Sequence, residues 1–314
     1  MLASGMNHNL LTRREALQHL GAGTLLAMGL WPGALRADGN HNSGSFRFLV
    51  INDTHYVNAD CGHWLEGVVR QIKSHGPIDF CLHAGDLTDN GRRADFGAVR
   101  DIFKGLGVPT FVQIGNHDYL NEKFAASEPQ PLLPHHSPKD QRQVVRPVPT
   151  RPNFNRRAYE DCFPGRLNYY FENHGWQIVS LDSSMGTLAS KTTIHADTLR
   201  FVDNHLQKFD KKRPMVVFTH FPMGPTVQYR PLNADDLLER FKPYNLQAVF
   251  SGHWHGFTER TRGETVLTTN KCCSLQRSNH DGTKDKGYFL CTASEGRISR
   301  SFIEFKGPAT SAKT

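Results

Sequence analysis

Five short polar motifs, each placed directly after an apolar run, constrain the fold of this chain more than any other feature of its sequence. In order they are Asp53-Thr54-His55, Gly85-Asp86-Leu87-Thr88-Asp89, Gly115-Asn116-His117-Asp118, Thr219-His220 and Gly252-His253-Trp254-His255. A short apolar run predicts a buried strand, so each motif is expected at the end of a strand. Because α/β sheets carry their sites at the carboxyl edges of the strands, we expect the motifs to meet at one site.

The rest of the chain supports an α/β fold. Strands are predicted at 46–51, 78–83, 110–114, 168–172, 176–182, 265–269, 287–293 and 298–305, and the stretches 215–220 and 248–253 repeat the order of strand and motif. Helices are predicted at 65–73, 94–106 and 196–209. With 314 residues, of which 38% are apolar, the chain is long enough to bury a substantial core. We predict one folded domain over 46–305.

The residue types in the motifs are those that metal ions require. Two cations held close together need carboxylate oxygens and imidazole nitrogens, and they need one ligand that bridges them. Asp86 is the natural bridge, because a carboxylate has two oxygens. Asn116 would add a neutral oxygen and so keep the site positive enough to attract phosphate. Glycines before Asp86, Asn116 and His253 are expected to let the chain turn tightly at the strand ends.

The ordered set resembles the calcineurin-like metallophosphoesterase family, whose pattern is D-x-H, GD-x-x-D, GNH-D/E, H and GH-x-H. The resemblance extends over about 46–305, and every motif position is filled. It implies a four-layer α/β/β/α sandwich of two mixed β-sheets flanked by helices. It also implies two divalent or trivalent metal ions (Mn, Fe or Zn). One ion is implied to be bound by Asp53, His55, Asp86 and His255, and the other by Asp86, Asn116, His220 and His253.

The same resemblance implies a reaction. A hydroxide bridging the two ions attacks the phosphorus, while His117 acts as general acid and Asp118 orients the ring of His117. Purple acid phosphatases of this superfamily carry Tyr at the position of Asp89, so this chain instead resembles the cyclic-nucleotide phosphodiesterase-like branch. The implied function is metal-dependent hydrolysis of phosphate esters, with a phosphodiesterase favoured and a small-molecule or lipid phosphate ester as substrate.

Two other functions remain open on these residues. A phosphomonoesterase, a nucleotidase or a phospholipid hydrolase would use the same site with another substrate. A binding scaffold that has lost catalysis belongs to a different class, but the chain keeps all the ligands and His117, which favours an active enzyme. A single-zinc hydrolase is disfavoured because no His-Glu-x-x-His pattern occurs. The net charge of +7 is ordinary, and no basic run interleaved with aromatic residues predicts nucleic-acid binding.

The first residues predict an export signal. Arg13 and Arg14 precede a short, glycine-diluted apolar stretch at 20–31, which resembles a twin-arginine signal. We expect cleavage after Ala37, a linker at 38–45, the twin-arginine export machinery as a partner and a periplasmic or secreted product. A membrane anchor or a surface helix is the alternative, although a membrane span needs about 20 apolar residues. No membrane span is expected in the mature chain.

The remaining segments carry less information. Residues 121–166 are rich in Pro, Arg and His and predict an insertion or lid without regular structure. Residues 306–314 are expected to be a disordered tail. The six cysteines lack zinc-ribbon spacing, and we expect Cys272 and Cys273 to be buried as small apolar residues.

Overall fold

The first of two β-sheets is built from the two ends of the folded chain. The computed structural model describes residues 44–124 and 153–307. This sheet contains β1 (Phe46–Ile51), β2 (Phe80–His83), β3 (Thr110–Val112), β10 (Gly287–Ser294) and β11 (Arg297–Glu304). Its strand order is β11-β10-β1-β2-β3. Strands β1, β2 and β3 are parallel, β10 is antiparallel to β1, and β11 is antiparallel to β10, so the sheet is mixed.

The second sheet is formed by the middle of the chain. It contains β4 (Tyr169–Asn173), β5 (Trp176–Leu181), β6 (Met215–Thr219), β7 (Leu246–Ser251), β8 (Thr258–Arg262) and β9 (Thr265–Thr269). Its strand order is β4-β5-β6-β7-β9-β8. The four central strands are parallel, and the edge strands β4 and β8 are antiparallel to their neighbours.

Among the described residues, five α-helices connect and cover the strands. They are α1 (Ala59–Ser74), α2 (Arg93–Lys104), α3 (Arg157–Cys162), α4 (Ala196–His205) and α5 (Ala234–Phe241). Helix α1 begins where the side chain of Asn58 accepts a hydrogen bond from the Cys61 N–H, which satisfies one of the free donors of the first turn. Leu65, Val68 and Ile72 recur at helical spacing and form its buried face.

Three apolar clusters separate the layers. Between the sheets lie large aromatic side chains, including Phe48, Phe80, Trp176, Phe218 and Phe250. The outer face of the first sheet packs against α1 and α2, and the outer face of the second sheet packs against α4 and α5. The central parallel strands are therefore buried on both faces, which is why they read as continuous apolar runs. The predicted α/β/β/α sandwich of two mixed sheets is confirmed.

The sequence prediction missed several helices and strands, because a polar or short segment lacks the apolar pattern from which regular structure is predicted. Strand β8 carries only Thr, Glu and Arg, because it is a mostly exposed edge strand. Helix α5 is short, and the sequence prediction did not include it. Helix α3 lies within 121–166, where no regular structure was expected; its Ala158 and Tyr159 are buried in the core beside α2. Cys272 and Cys273 are buried, as predicted.

Several predictions concern residues outside the described ranges. The export signal (1–37), most of the linker (38–45), the centre of the segment 121–166 and the end of the tail (306–314) lie there. Within the described ranges, no helix is both long and apolar enough to cross a membrane.

Candidate metal centre

The ends of five strands bring the predicted side chains together. Asp53 and His55 follow β1, Asp86 follows β2, and Asn116 follows β3, while His220 follows β6, and His253 and His255 follow β7. Both sheets therefore contribute, and all seven side chains are buried. Sheet order explains the meeting, because β1, β2 and β3 are neighbours in one sheet and β6 and β7 are neighbours in the other.

The backbone at the site is held in an uncommon conformation. Asp53, His55, Asp86, His253 and His255 have φ angles of 53°, 44°, 52°, 62° and 47°, in the left-handed region. Asp and His tolerate this region better than most residues, but it still costs free energy. Strained residues persist where the surrounding structure holds them, and they cluster at functional sites.

The three motif glycines have different roles. Gly85 has φ of 89°, so it serves the tight turn that the sequence predicted. Gly115 and Gly252 are needed for space instead: a Cβ atom on Gly115 would lie 2.1 Å from Oδ1 of Asp86, and one on Gly252 would lie 2.6 Å from Oδ2 of Asp53. These glycines allow the backbone to approach the buried carboxylates.

Four side chains form what we call the first ligand group: Asp53, His55, Asp86 and His255. One ligand atom from each lies within 4.8 Å of the others. Nε2 of His255 is 3.2 Å from Oδ1 of Asp53, and Nε2 of His55 is 3.4 Å from Oδ2 of Asp86. The arrangement offers two carboxylates and two imidazoles to a single point.

The second ligand group consists of Asp86, His220 and His253, whose ligand atoms also lie within 4.8 Å of one another. Nε2 of His220 is 3.3 Å from Oδ1 of Asp86 and 3.2 Å from Oδ1 of Asn116, which joins this group. Asp86 belongs to both groups: its Oδ2 faces His55 in the first group, and its Oδ1 faces His220 in the second.

Hydrogen bonds fix which ring nitrogen of each histidine faces the site. Nδ1 of His55 lies 3.0 Å from Oδ1 of Asp89, and Nδ1 of His255 lies 3.1 Å from the Ser278 carbonyl oxygen. Nδ1 of His220 lies 2.9 Å from the Ala84 carbonyl oxygen, and Nε2 of His253 lies 2.9 Å from the Ala189 carbonyl oxygen. Each of these nitrogens donates to an oxygen, so the other nitrogen of each ring faces the site, as in metal-binding histidines.

One short contact shows that the donor set suits a cation. Nε2 of His55 and Nε2 of His255 are 3.1 Å apart. Because both rings use Nδ1–H in other hydrogen bonds, two lone pairs would face each other at this distance. A proton or a cation between the nitrogens removes the repulsion, and borderline metal ions prefer such mixed imidazole and carboxylate sites.

The electrostatics of the site are those of a centre that attracts positive charge. Burial acts to raise the pKa of Asp53 and Asp86, but the neighbouring histidines outweigh it and lower both pKa values. Burial acts to lower the pKa of His220 and His255, but Asp86 and Asp53 raise these pKa values to about 9 and about 11. The carboxylates therefore stay ionised, and each draws a proton onto a ligand histidine. Metal binding must displace those protons.

His117 lies at the open side of the site. Its side chain is 31% exposed and lines a cavity of about 510 Å³ together with Asp89, Asn116 and Lys123. Nδ1 of His117 is 3.2 Å from the Asp89 carbonyl oxygen and 3.4 Å from Oδ1 of the same residue. This fixes the ring and leaves Nε2 as the atom available for proton transfer.

The side chain of Asp118 contacts backbone N–H groups, whereas the family resemblance implied that it orients the ring of His117. Its carboxylate accepts hydrogen bonds from the backbone N–H groups of Leu87, Thr88 and Gly115 at 2.9–3.1 Å, so it shapes the turns after β2 and β3. The acidic residue that contacts the His117 ring is Asp89. Burial, with help from Asp86, raises the pKa of Asp118 to about 7.

Sequence reasoning missed two residues of the site. The sequence analysis used Asp89 only to distinguish the phosphodiesterase-like branch from the purple acid phosphatases. Its position in the second motif could have indicated that it lies at the site. Its pKa is lowered to about 2, because hydrogen bonds from His55 and Arg277 outweigh the effect of burial. Arg277 had no signal at all, since it comes from a polar loop far along the chain.

This fold and this donor set define the class of the protein, which is a metallophosphoesterase hydrolase. The family described as calcineurin-like phosphoesterase matches residues 46–257, and the chain belongs to that family.

Curated relatives of the chain are named as phosphodiesterases. The 3′,5′-cyclic adenosine monophosphate phosphodiesterase CpdA of Pseudomonas aeruginosa is 25% identical over 257 residues, which cover 77% of this chain and 80% of that protein. A probable glycerophosphodiester phosphodiesterase GpdQ of Arcobacter nitrofigilis is 22% identical over 241 residues, covering 70% and 76%. A probable cyclic nucleotide phosphodiesterase of Rhodopseudomonas palustris is 32% identical over 87 residues; these cover 25% of this chain and only 31% of that protein.

Solved structures share the fold at low identity. Purple acid phosphatase PPD1 from yellow lupin has a TM-score of 0.58 and 12% identity, covering 84% of this chain and 52% of its own. This chain therefore spans about half the length of that enzyme. GAP50, the anchor in the inner membrane complex of Plasmodium, has a TM-score of 0.51 and 15% identity, covering 85% and 87%.

Proposed function

We propose that the protein is a phosphodiesterase that uses two metal ions and His117 as its general acid. The observation that carries this proposal is the sharing of Asp86 between the two ligand groups, with His117 at the open side beside them. The relatives from Pseudomonas aeruginosa and Arcobacter nitrofigilis are both named as phosphodiesterases, which supports a diester over a monoester.

The proposed ligands follow from the two groups. Asp53, His55, Asp86 and His255 would hold one ion, and Asp86, Asn116, His220 and His253 would hold the other. When bound, two such ions draw negative charge from the phosphate oxygens and make a water-derived nucleophile available at neutral pH. The donor set of oxygens and nitrogens suits Mn, Fe and Zn.

His117 completes the proposed mechanism. With Nδ1–H donated to the Asp89 carbonyl oxygen, Nε2 can carry the second proton and give it to the leaving oxygen of the ester. A leaving alkoxide needs this proton more than a leaving phenolate does, because an alkoxide is the stronger base. The polar walls of the cavity, which include Asn153 and Thr187, suit the polar part of a small ester.

The test is hydrolysis by metal-stripped protein with Mn²⁺, Fe²⁺ or Zn²⁺ added back separately. We expect metal-dependent turnover of bis-p-nitrophenyl phosphate, with slower turnover of p-nitrophenyl phosphate. Preference for the monoester would replace the proposal with a phosphomonoesterase or nucleotidase. Folded, metal-loaded protein that turns over neither ester would contradict hydrolysis of simple esters and favour the scaffold.

We also propose that the protein is exported through the twin-arginine pathway to the periplasm. The support is the Arg13-Arg14 pair before the short apolar stretch at 20–31. Replacement of both arginines with lysine is expected to abolish accumulation of the protein in the periplasm. Continued accumulation would contradict this route.

A further inference from the structure

The loop between β9 and β10 sends an arginine side chain to the edge of the site. Arg277 donates from both Nε and Nη2 to Oδ1 of Asp89, with the Nε contact at 2.9 Å. The same oxygen accepts from Nδ1 of His55 at 3.0 Å and lies 3.4 Å from Nδ1 of His117. One carboxylate oxygen is therefore common to a ligand histidine, the proposed acid and Arg277.

The loop holds the backbone of Arg277 in place. The Arg277 N–H donates to Oγ of Ser274 at 3.1 Å, and its carbonyl oxygen accepts from Nζ of Lys286. The buried side chain of Asn279 donates to the Asp285 carbonyl oxygen at 2.7 Å and so closes the loop. These hydrogen bonds fix the backbone of Arg277, so the conformation of the loop directs its guanidinium toward Asp89.

Stability alone does not account for this contact. The Arg277 side chain is 40% exposed, and ion pairs at such positions contribute only about 0–1 kcal/mol to folding. Its partner Asp89 is only 19% exposed and contacts both histidines. A short carboxylate side chain can rotate, whereas two N–H donors of one rigid guanidinium, both directed at Oδ1, hold that oxygen in place beside the histidines.

We propose that Arg277 is a positioning residue, which holds Asp89 in the orientation that keeps both His55 and His117 in place. The part that concerns His117 rests on the proposed function. The part that concerns His55 does not, because it affects metal binding whether or not an ester is hydrolysed. Without Arg277, Asp89 turns away, His55 loses its anchor, and the His117 ring loses the nearby negative charge.

The experiment is a double-mutant cycle with Arg277→Met, Asp89→Asn and the double variant. The first readout is calorimetric titration of metal-stripped protein with Mn²⁺ or Zn²⁺. The second is the ratio of rates for diesters with good and poor leaving groups, bis-p-nitrophenyl phosphate and a bis-alkyl phosphate. Arg240→Met is the matched control, since Arg240 on α5 also donates from Nε and Nη2 to a carboxylate, here to the two oxygens of Asp203 on α4 at 2.7 and 3.1 Å.

We expect Arg277→Met to weaken one metal-binding step by at most about 10–100-fold, which is the loss expected when the direct hydrogen-bond partner of a metal ligand, here Asp89, is removed. It should also slow the bis-alkyl ester more than the nitrophenyl ester. In the Asp89→Asn background, Arg277→Met should have almost no further effect on either readout. Arg277→Lys, which keeps the charge without the rigid fork, should recover only part of the loss, and the Arg240→Met control should match the wild type.

Two results would overturn the inference. If Arg277→Met is equally harmful with and without Asp89, the guanidinium acts directly on the substrate and not through Asp89. If Arg277→Met leaves metal affinity and leaving-group dependence unchanged, Arg277 does not position Asp89. Absence of ester hydrolysis in the wild type would defeat the proposed function, while the calorimetric cycle would still decide whether Arg277 acts through Asp89.

Discussion

The two ligand groups share Asp86 but differ in how one of their histidines, His55, is held in place. In the second group, His220 and His253 both donate to backbone carbonyl oxygens, those of Ala84 and Ala189, each at 2.9 Å. In the first group, His255 also donates to a backbone carbonyl oxygen, that of Ser278. His55 instead donates to the side chain of Asp89, which also accepts from Arg277. A backbone carbonyl is placed by the fold itself, whereas a carboxylate is placed by its rotamer and its neighbours.

This difference indicates which ligand group can be weakened by a substitution outside the ligands themselves. The anchors of the second group cannot be removed by changing a side chain, so that group should fail only when the fold or a ligand fails. The first group can be weakened separately, through residues that bind no metal.

Removing the shared ligand Asp86 should impair metal binding by both groups at once. Asp86→Asn keeps the size of the side chain but removes the charge that faces both His55 and His220. We expect loss of both metal ions in elemental analysis and a fall in hydrolysis of roughly 10⁴-fold or more, because each ion stabilises the transition state by several kcal/mol. Two ions bound with unchanged affinity would show that Asp86 does not bridge the groups.

Removing the proposed acid should leave both groups intact. His117→Ala is expected to keep metal content and melting temperature, and to lower the hydrolysis of alkyl diesters by about 10²–10⁴-fold. The loss should be smaller for nitrophenyl diesters, whose leaving groups need no proton. His63→Ala, at an exposed position on α1, is the matched control. Equal losses for both kinds of ester would exclude proton donation by His117.

The buried ligands show how much of the site the sequence could predict. Short motifs at strand ends identify buried ligands, because apolar runs predict parallel strands and sheet geometry brings their ends together. Asp53, Asp86 and His220 were found in this way. The same logic placed β1 and β9 at their observed bounds. It gave no information on exposed polar elements such as β8.

Contacts that depend on side-chain direction could not be predicted. The family resemblance implied that Asp118 orients His117, but the short 3₁₀ turn 116–118 directs the Asp118 carboxylate to backbone N–H groups. The approach of Arg277 to Asp89 depends on the course of a polar loop, and such loops lack the periodicity from which contacts are inferred.

Weakening Asp89 should separate the two groups. Asp89→Asn keeps an oxygen near His55 but loses the charge that holds the ring and attracts Arg277. We expect one metal ion to dissociate at about 10–100-fold lower chelator concentration than in the wild type, while the other is retained. The measurement is metal content during titration with a chelator. Parallel loss of both ions would contradict the contrast between the groups.

Removing the charge of Asp118 should have the smallest effect, and it should fall on the fold that supports both groups. In Asp118→Asn, the new amide cannot accept from all of Leu87, Thr88 and Gly115, so a buried N–H group loses its partner. Such a loss costs about 1–3 kcal/mol, which corresponds to a melting temperature lower by roughly 2–10 °C for a domain of this size.

Because Asp118 braces the turns after β2 and β3, its loss should weaken the two metal-binding steps to a similar extent and leave the leaving-group dependence of hydrolysis unchanged. Asp101→Asn, at an exposed position on α2, is the control for the change of charge. If Asp118→Asn instead kept its melting temperature and lost rate mainly on alkyl diesters, Asp118 would act on His117 as the sequence predicted. That result would mean that Asp118, and not Asp89, orients the ring of His117. The anchor of the first ligand group would then have no role in positioning the general acid.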